Sequence, residues 1–203
     1  MRHFYKNIKG WFCAEKLFRQ QVKAAVDGAH FVELGPYLGK STAHLAVEIL
    51  NSGKSIKFDT IDIFEGDTGS RRSKDHDGHK EDSVEAQCRE NLAAVSDVVN
   101  ILKADAIEAA SGYADESIDF IFIDDYHETE HVYQELIAWW PKIKVGGLLS
   151  GDDYRYRGNN GNQVPRAIKR FIAFIKETEG VELVLQKPWH TGIKKCWKLE
   201  KVL

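Results

Sequence analysis

The 203-residue chain predicts an α/β fold: a doubly wound, mostly parallel, seven-stranded sheet that ends in an antiparallel hairpin. Three observations carry this reading. Short apolar runs rich in Ile, Val and Phe alternate with stretches of helical period. A glycine-spaced turn joins the first of those runs to a helix. Aspartates recur where the runs end.

Taken in order, residues 12–27 read as a helix, with Phe12, Leu17, Val22 and Val26 among its apolar positions. HFVEL at 30–34 is the first strand, and 41–51 a helix. IKFDTID at 56–62 is the second strand. Residues 65–81 have many charges and no hydrophobic period, so they are expected as a loop, long enough to act as a lid. A helix follows at 82–95, a strand at 98–103 and a short helix at 105–111. SIDFIFID at 117–124 is apolar enough for a central strand buried on both faces. Residues 128–140 form a helix that Pro141 helps to end, and 143–150 form the fifth strand. A helix at 164–178 precedes two final strands, 181–187 and 193–200, joined by a Pro-Trp-His-Thr-Gly turn. No repeat, linker or low-complexity segment interrupts residues 1–203. One domain is expected, with 1–28 as its N-terminal helical segment.

Composition narrows the function classes. Hydrophobic residues make up 43% and charged residues 29%, as in an ordinary globular protein. A net charge of −3 offers no overall attraction to nucleic acid or to an anionic membrane. The stretch from Tyr154 to Leu203 is basic and reads as a solvated face. Cys13, Cys88 and Cys196 are far apart in the chain, which suggests free thiols and a cytoplasmic setting. The start, MRHFYKNIKG, lacks the apolar run of a signal peptide, and no segment approaches the ~20 apolar residues of a membrane helix.

The chemistry concentrates at the turn. His30 to Ser41, HFVELGPYLGKS, places Glu33 near a strand end, then Gly35 and Gly39, then a helix start. Open α/β sheets bind nucleotide-like ligands at such corners, where glycine admits close approach and the helix offers free N–H groups. A P-loop needs four residues between its glycines, and this turn has three. The dinucleotide pattern fails as well, because Pro36 and Tyr37 follow the first glycine. An E-x-G-x-x-x-G turn remains. Asp62 ends the second strand about 20 residues beyond the turn, where a carboxylate can accept hydrogen bonds from ribose. Asp105, Asp124, Asp125, Asp152 and Asp153 fall at the same edge of the sheet. Asp124, Asp152 and Asp153 together suit a hard divalent cation with oxygen ligands. Capping of local turns is the competing reading for each of them.

These residues together resemble the class I S-adenosylmethionine-dependent O-methyltransferases, over roughly residues 10–200. FVELGPYLGKSTAHLA is similar to the corresponding segment of catechol O-methyltransferase. IDFIFIDDYHETEHVYQELIAWWPKIKVGGLLSGDDY is even more similar to the small bacterial methyltransferases related to macrolide-sugar O-methyltransferases. The resemblance implies a Rossmann-like methyltransferase fold with S-adenosylmethionine as cofactor. It implies that Glu33, Gly35, Tyr37, Gly39 and Ser41 line its methionine part, with Asp124 also at the cofactor. Asp62 would hold the ribose, Ile63 would touch the adenine, and Ala104 and Asp105 would sit at the adenine edge. Asp124, Asp152 and Asp153 would ligate a metal, magnesium being expected. His127 stands where the catechol enzyme has a catalytic lysine. A histidine near its reference pKa of ~6.5 is a competent base, with Asp124 as the substitute. The acceptor would be a small hydroxylated molecule, without nucleic acid or membrane as partner, and a homodimer is compatible with this. A P-loop-like NTPase and a non-catalytic cofactor-binding protein are the other readings. Arg71, Arg72, His76 and His79 read as part of the lid, Tyr154, Arg155, Tyr156, Arg157, Asn159 and Asn160 as substrate contacts, and Trp139, Trp140 and Trp197 as packing residues.

Overall fold

The computed structural model describes residues 1–64, 81–154, 163–186 and 196–202. Six strands form one sheet: β1 (His30–Leu34), β2 (Lys57–Asp62), β3 (Val99–Lys103), β4 (Ile118–Ile123), β5 (Ile143–Gly151) and β6 (Trp197–Glu200), in the order β3-β2-β1-β4-β5-β6. The first five are parallel, and β6 runs antiparallel to β5. The helices are α1 (Glu15–Ala24), α2 (Lys40–Ser52), α3 (Glu81–Asn91), α4 (Ala106–Ala109), α5 (Thr129–Trp139) and α6 (Gln163–Glu179).

Alternation along the central strands sorts side chains to two faces. Phe31, Phe120 and Phe122 join one apolar cluster with Leu17 and Phe18 of α1 and Leu45 and Ile49 of α2. Val32, Leu34, Ile121 and Ile123 join the other, with Leu136 and Trp139 of α5 and Ile168 and Phe171 of α6. Helices on both faces explain why β4 is apolar from Phe120 to Ile123 rather than alternating with polar residues. Trp139, expected to pack, is fully buried and its indole N–H donates to the Ala106 carbonyl at 2.8 Å.

The departures from expectation are local. α1 begins at Glu15, so Trp11 and Phe12 precede it; Phe12 packs on Tyr5, Phe18 and His44 instead. The helix expected at 82–95 is α3 followed by a separate 3₁₀ turn, Ala93–Val95. The strand expected at 181–187 is reduced among the described residues to one antiparallel bridge, Gln186 to Lys198. Val181, Leu183 and Leu185 satisfy their apolar pattern by packing on the α5–α6 cluster, without a ladder. The seventh strand is therefore a single bridge on the outer side of β6. The lid expected at 65–81, apart from Glu81, and the candidate contacts at 155–160 lie outside the described residues. Among the described residues, no helix is long and apolar enough to cross a membrane.

Candidate active site

The strand order reverses between β1 and β4, and ligands of open α/β sheets sit outside the carboxyl ends at such a point. The Asp124 N–H donates to the Leu34 carbonyl at 2.9 Å, so the two chains leave the sheet side by side. Gly35 is where they touch. Its φ is +82°, and a Cβ there would lie 2.4 Å from the Asp124 carbonyl oxygen. Gly39, also at positive φ, caps α2 against the Leu92 side chain. Ser41 and Thr42 then occupy the buried first turn of that helix.

Glu33 is fully buried. The Thr42 and Thr60 hydroxyls donate to its Oε2 at 2.5 and 3.0 Å, while Oε1 has no hydrogen-bond partner. Burial pushes its pKa up, and the hydroxyls of Ser41, Thr42 and Thr60 offset part of that rise. Neither threonine was singled out in the sequence; both carry the ordinary signature of a helix and a strand interior.

Asp62 works inward. It accepts the Phe64 N–H at 2.7 Å on Oδ1 and the Tyr37 N–H at 3.2 Å on Oδ2. Burial raises its pKa against those bonds. The carboxylate expected at the ribose thus ties together two loops, at Tyr37 and Phe64, that both carry positive φ. Ile63 is half-buried. The Ala104 N–H donates to the Asp62 carbonyl at 3.0 Å. Asp105 is the N-cap of α4, accepting from the Ile107 and Glu108 N–H groups at 2.9 Å, so one of its oxygens serves the local turn.

At the ends of β4 and β5, Asp124, Asp125, Tyr126, His127, Asp152, Asp153 and Trp197 line one pocket. His127 Nε2 pairs with Asp153 Oδ2. Cys13 Sγ contacts both oxygens of Asp152, at 3.3 and 3.5 Å. Burial, then the charges of Asp152 and Asp153, push Asp124 well above the usual carboxylate range. The structure thus brings Asp124, His127, Asp152 and Asp153 into one pocket. It does not, however, bring one ligand atom from each of the three aspartates together within 4.8 Å. Among the described residues the groups that meet that distance are His3–His44–Glu48, Cys13–Asp152–Cys196 and Asp125–His131–Glu135. Asp152 contacts Cys13, and Asp153 pairs with His127. Cys13 lies 139 residues from Asp152, so no local pattern could have announced it.

This geometry agrees with comparison to known proteins. A family model described as a methyltransferase domain matches residues 32–154, from within β1 to the residue after Asp153. No curated protein sequence shows significant similarity to the chain. Among solved structures, the O-methyltransferase NovP superposes with a TM-score of 0.64 at 18% identity, over 93% of this chain and 79% of that one. Cofactor-bound Rv0187 from MTB gives 0.64 at 17% identity, over 96% and 82%. The SAH-bound Podospora anserina methyltransferase PaMTH1 gives 0.58 at 14%, over 97% and 91%. A matched stretch that begins in the glycine-turn strand and ends at the paired aspartates leaves no support for a P-loop NTPase. The chain belongs to the methyltransferase-domain family.

Proposed function

We propose that this enzyme methylates a hydroxyl group of a small polyhydroxylated molecule, with a divalent cation, magnesium for preference, held by Asp124, Asp152 and Asp153. The observation that carries the proposal is that those carboxylates and His127 line one pocket at the carboxyl ends of β4 and β5. The name O-methyltransferase attached to the similar NovP structure supports the choice of oxygen.

The donors fit a hard cation by type, since all are carboxylates. Burial raises Asp124 first, and the charges of Asp152 and Asp153 add to it; a cation would relieve that added repulsion. S-adenosylmethionine supplies an electrophilic sulfonium methyl, and the cation, when bound, supplies Lewis-acid activation of the acceptor hydroxyl. The chain's own part is alignment. Glu33 and the turn from Gly35 to Ser41 would receive the methionine part, and the Asp62-tied loops the ribose. Ile63, Ala104 and Asp105 would border the adenine. His127, held by Asp153, would take the hydroxyl proton, with Asp124 next to it. Free thiols support a cytoplasmic setting, and a homodimer remains compatible with the reading.

The test is calorimetric titration with S-adenosylhomocysteine, with and without magnesium, followed by an acceptor screen. Wild type should bind, Asp62→Ala should bind at least about tenfold more weakly, and Asp153→Asn should lose metal-stimulated methyl transfer while keeping cofactor binding. Turnover of hydroxylated acceptors that is indifferent to chelator and to Asp153→Asn would remove the metal from the proposal. Turnover confined to nitrogen acceptors would remove the hydroxyl.

A further inference from the structure

We infer that Asp125, His131 and Glu135 form a second divalent-cation site, structural in role, suited to a borderline ion such as zinc. The three side chains come from two elements. Asp125 follows β4, while His131 and Glu135 stand one turn apart on α5 and so share a face. One ligand atom from each lies within 4.8 Å of the others.

The second observation is that three of the buried ligand atoms, on His131 and Glu135, have no hydrogen bond. Glu135 is fully buried, and neither of its oxygens has a hydrogen bond. His131 Nε2 is also buried and unbonded. It faces Glu135 Oε1 at 3.7 Å, within ion-pair reach but too long for a hydrogen bond. Buried carboxylates in proteins are paired, hydrogen-bonded or metal-bound, because desolvation without compensation is costly. A tetrahedral ion with bonds of about 2.0–2.2 Å holds its ligands about 3.4 Å apart, close to the His131–Glu135 gap. The Tyr126 ring packs against that of His131, with centroids 4.5 Å apart. Two carboxylates and one neutral imidazole would balance a dication. Mixed imidazole and carboxylate ligation favours zinc over magnesium.

The consequence falls on the loop. Asp125 directly follows Asp124, and His127 lies between Asp125 and His131. An ion joining Asp125 to α5 would pin the segment that carries both proposed catalytic groups. This site does not depend on the methyl-transfer reading, because none of its ligands belongs to the proposed acceptor metal.

The experiment strips the protein with chelator and titrates it with zinc, reading stoichiometry by calorimetry and elemental analysis. Wild type should bind zinc. One equivalent should disappear in both Glu135→Gln and His131→Gln and persist in Asp153→Asn and Cys13→Ser. Cobalt in the same site should show no thiolate charge-transfer absorption. Should the buried Glu135→Gln variant fail to fold, His131→Gln decides, since that side chain is 24% exposed. Absence of zinc binding would overturn the inference. Wild-type stoichiometry in His131→Gln, or a thiolate band lost in Cys13→Ser, would overturn it too, the latter assigning the ion to Cys13–Asp152–Cys196.

Discussion

Gly35 carries the tightest steric constraint at the site. An alanine there would combine a left-handed backbone with a methyl carbon 2.4 Å from the Asp124 carbonyl oxygen and 2.7 Å from the Asp125 Cα. Neither neighbour is a flexible side-chain end, so the β1 and β4 exits must separate. Gly35→Ala should cost roughly 3 kcal/mol or more, read from the urea midpoint, and should weaken cofactor binding beyond what that loss explains. A variant with wild-type stability would mean that the two strand exits are not in contact. This glycine was legible because spacing alone marks a turn. The inward work of Asp62 and Asp105 was not, since a strand-end carboxylate has the same pattern whether it faces a ligand or a backbone N–H. The clustering of Asp125 with His131 and Glu135 was hidden for a related reason. Glu135 occupies a core position of α5, where an apolar residue would satisfy the helical period.

At the scale of elements, long regular segments were legible and their junctions were not. The β4 run at 118–123 and the α5 and α6 periods follow from buried faces that the pattern exposes. The start of α1 does not, because Phe12 fits a helical period yet packs on His44 from an irregular chain. That irregular N-terminal segment covers the glycine turn. Lys40 Nζ donates to the Gly10 carbonyl at 2.9 Å, and the Tyr37 ring lies against Gly10. Cys13 extends the cover to Asp152. Lys40→Ala should release it: amide exchange across residues 10–14 should quicken about tenfold, as loss of one charge-assisted hydrogen bond predicts, with little change in the exchange of β1. Equal acceleration in β1 would show a global effect and deny the segment its own opening.

Across the whole molecule, two buried groups tie acid sensitivity to the fold. His44 sits on α2 among His3, Tyr5 and Phe12, and its Nδ1 has no hydrogen bond. Burial, with the charges of His3 and Arg19 adding to it, lowers its pKa to about 3. Glu48 lies nearer to His3, at 2.9 Å, than to His44, at 3.5 Å. Asp59 joins three strands through His30 at 2.7 Å and Asn100 at 2.9 Å, with the Tyr113 hydroxyl at 3.1 Å. Burial pushes Asp59 up, but the hydrogen bonds from His30 and Asn100 and the charges of His30 and Lys57 prevail and hold it at about 2. The signs agree. Below pH 6.5 the unfolded chain protonates His44 and the folded chain does not, so that stability is lost as pH falls from 6.5 towards about 3. The Asp59 contribution is present above 3.8 and disappears as pH falls through about 2. Denaturant unfolding across this range should therefore show a shallower acid slope for His44→Phe than for wild type above pH 4. Asp59→Asn should be weaker at neutral pH by about 1–3 kcal/mol and lose its extra slope only below pH 4. Because the two groups share no partner, the double variant should match the sum of the singles within about 0.5 kcal/mol. Parallel profiles for wild type and His44→Phe between pH 6.5 and 4 would show that the imidazole reaches solvent before the chain unfolds, and that the N-terminal segment over α2 opens first.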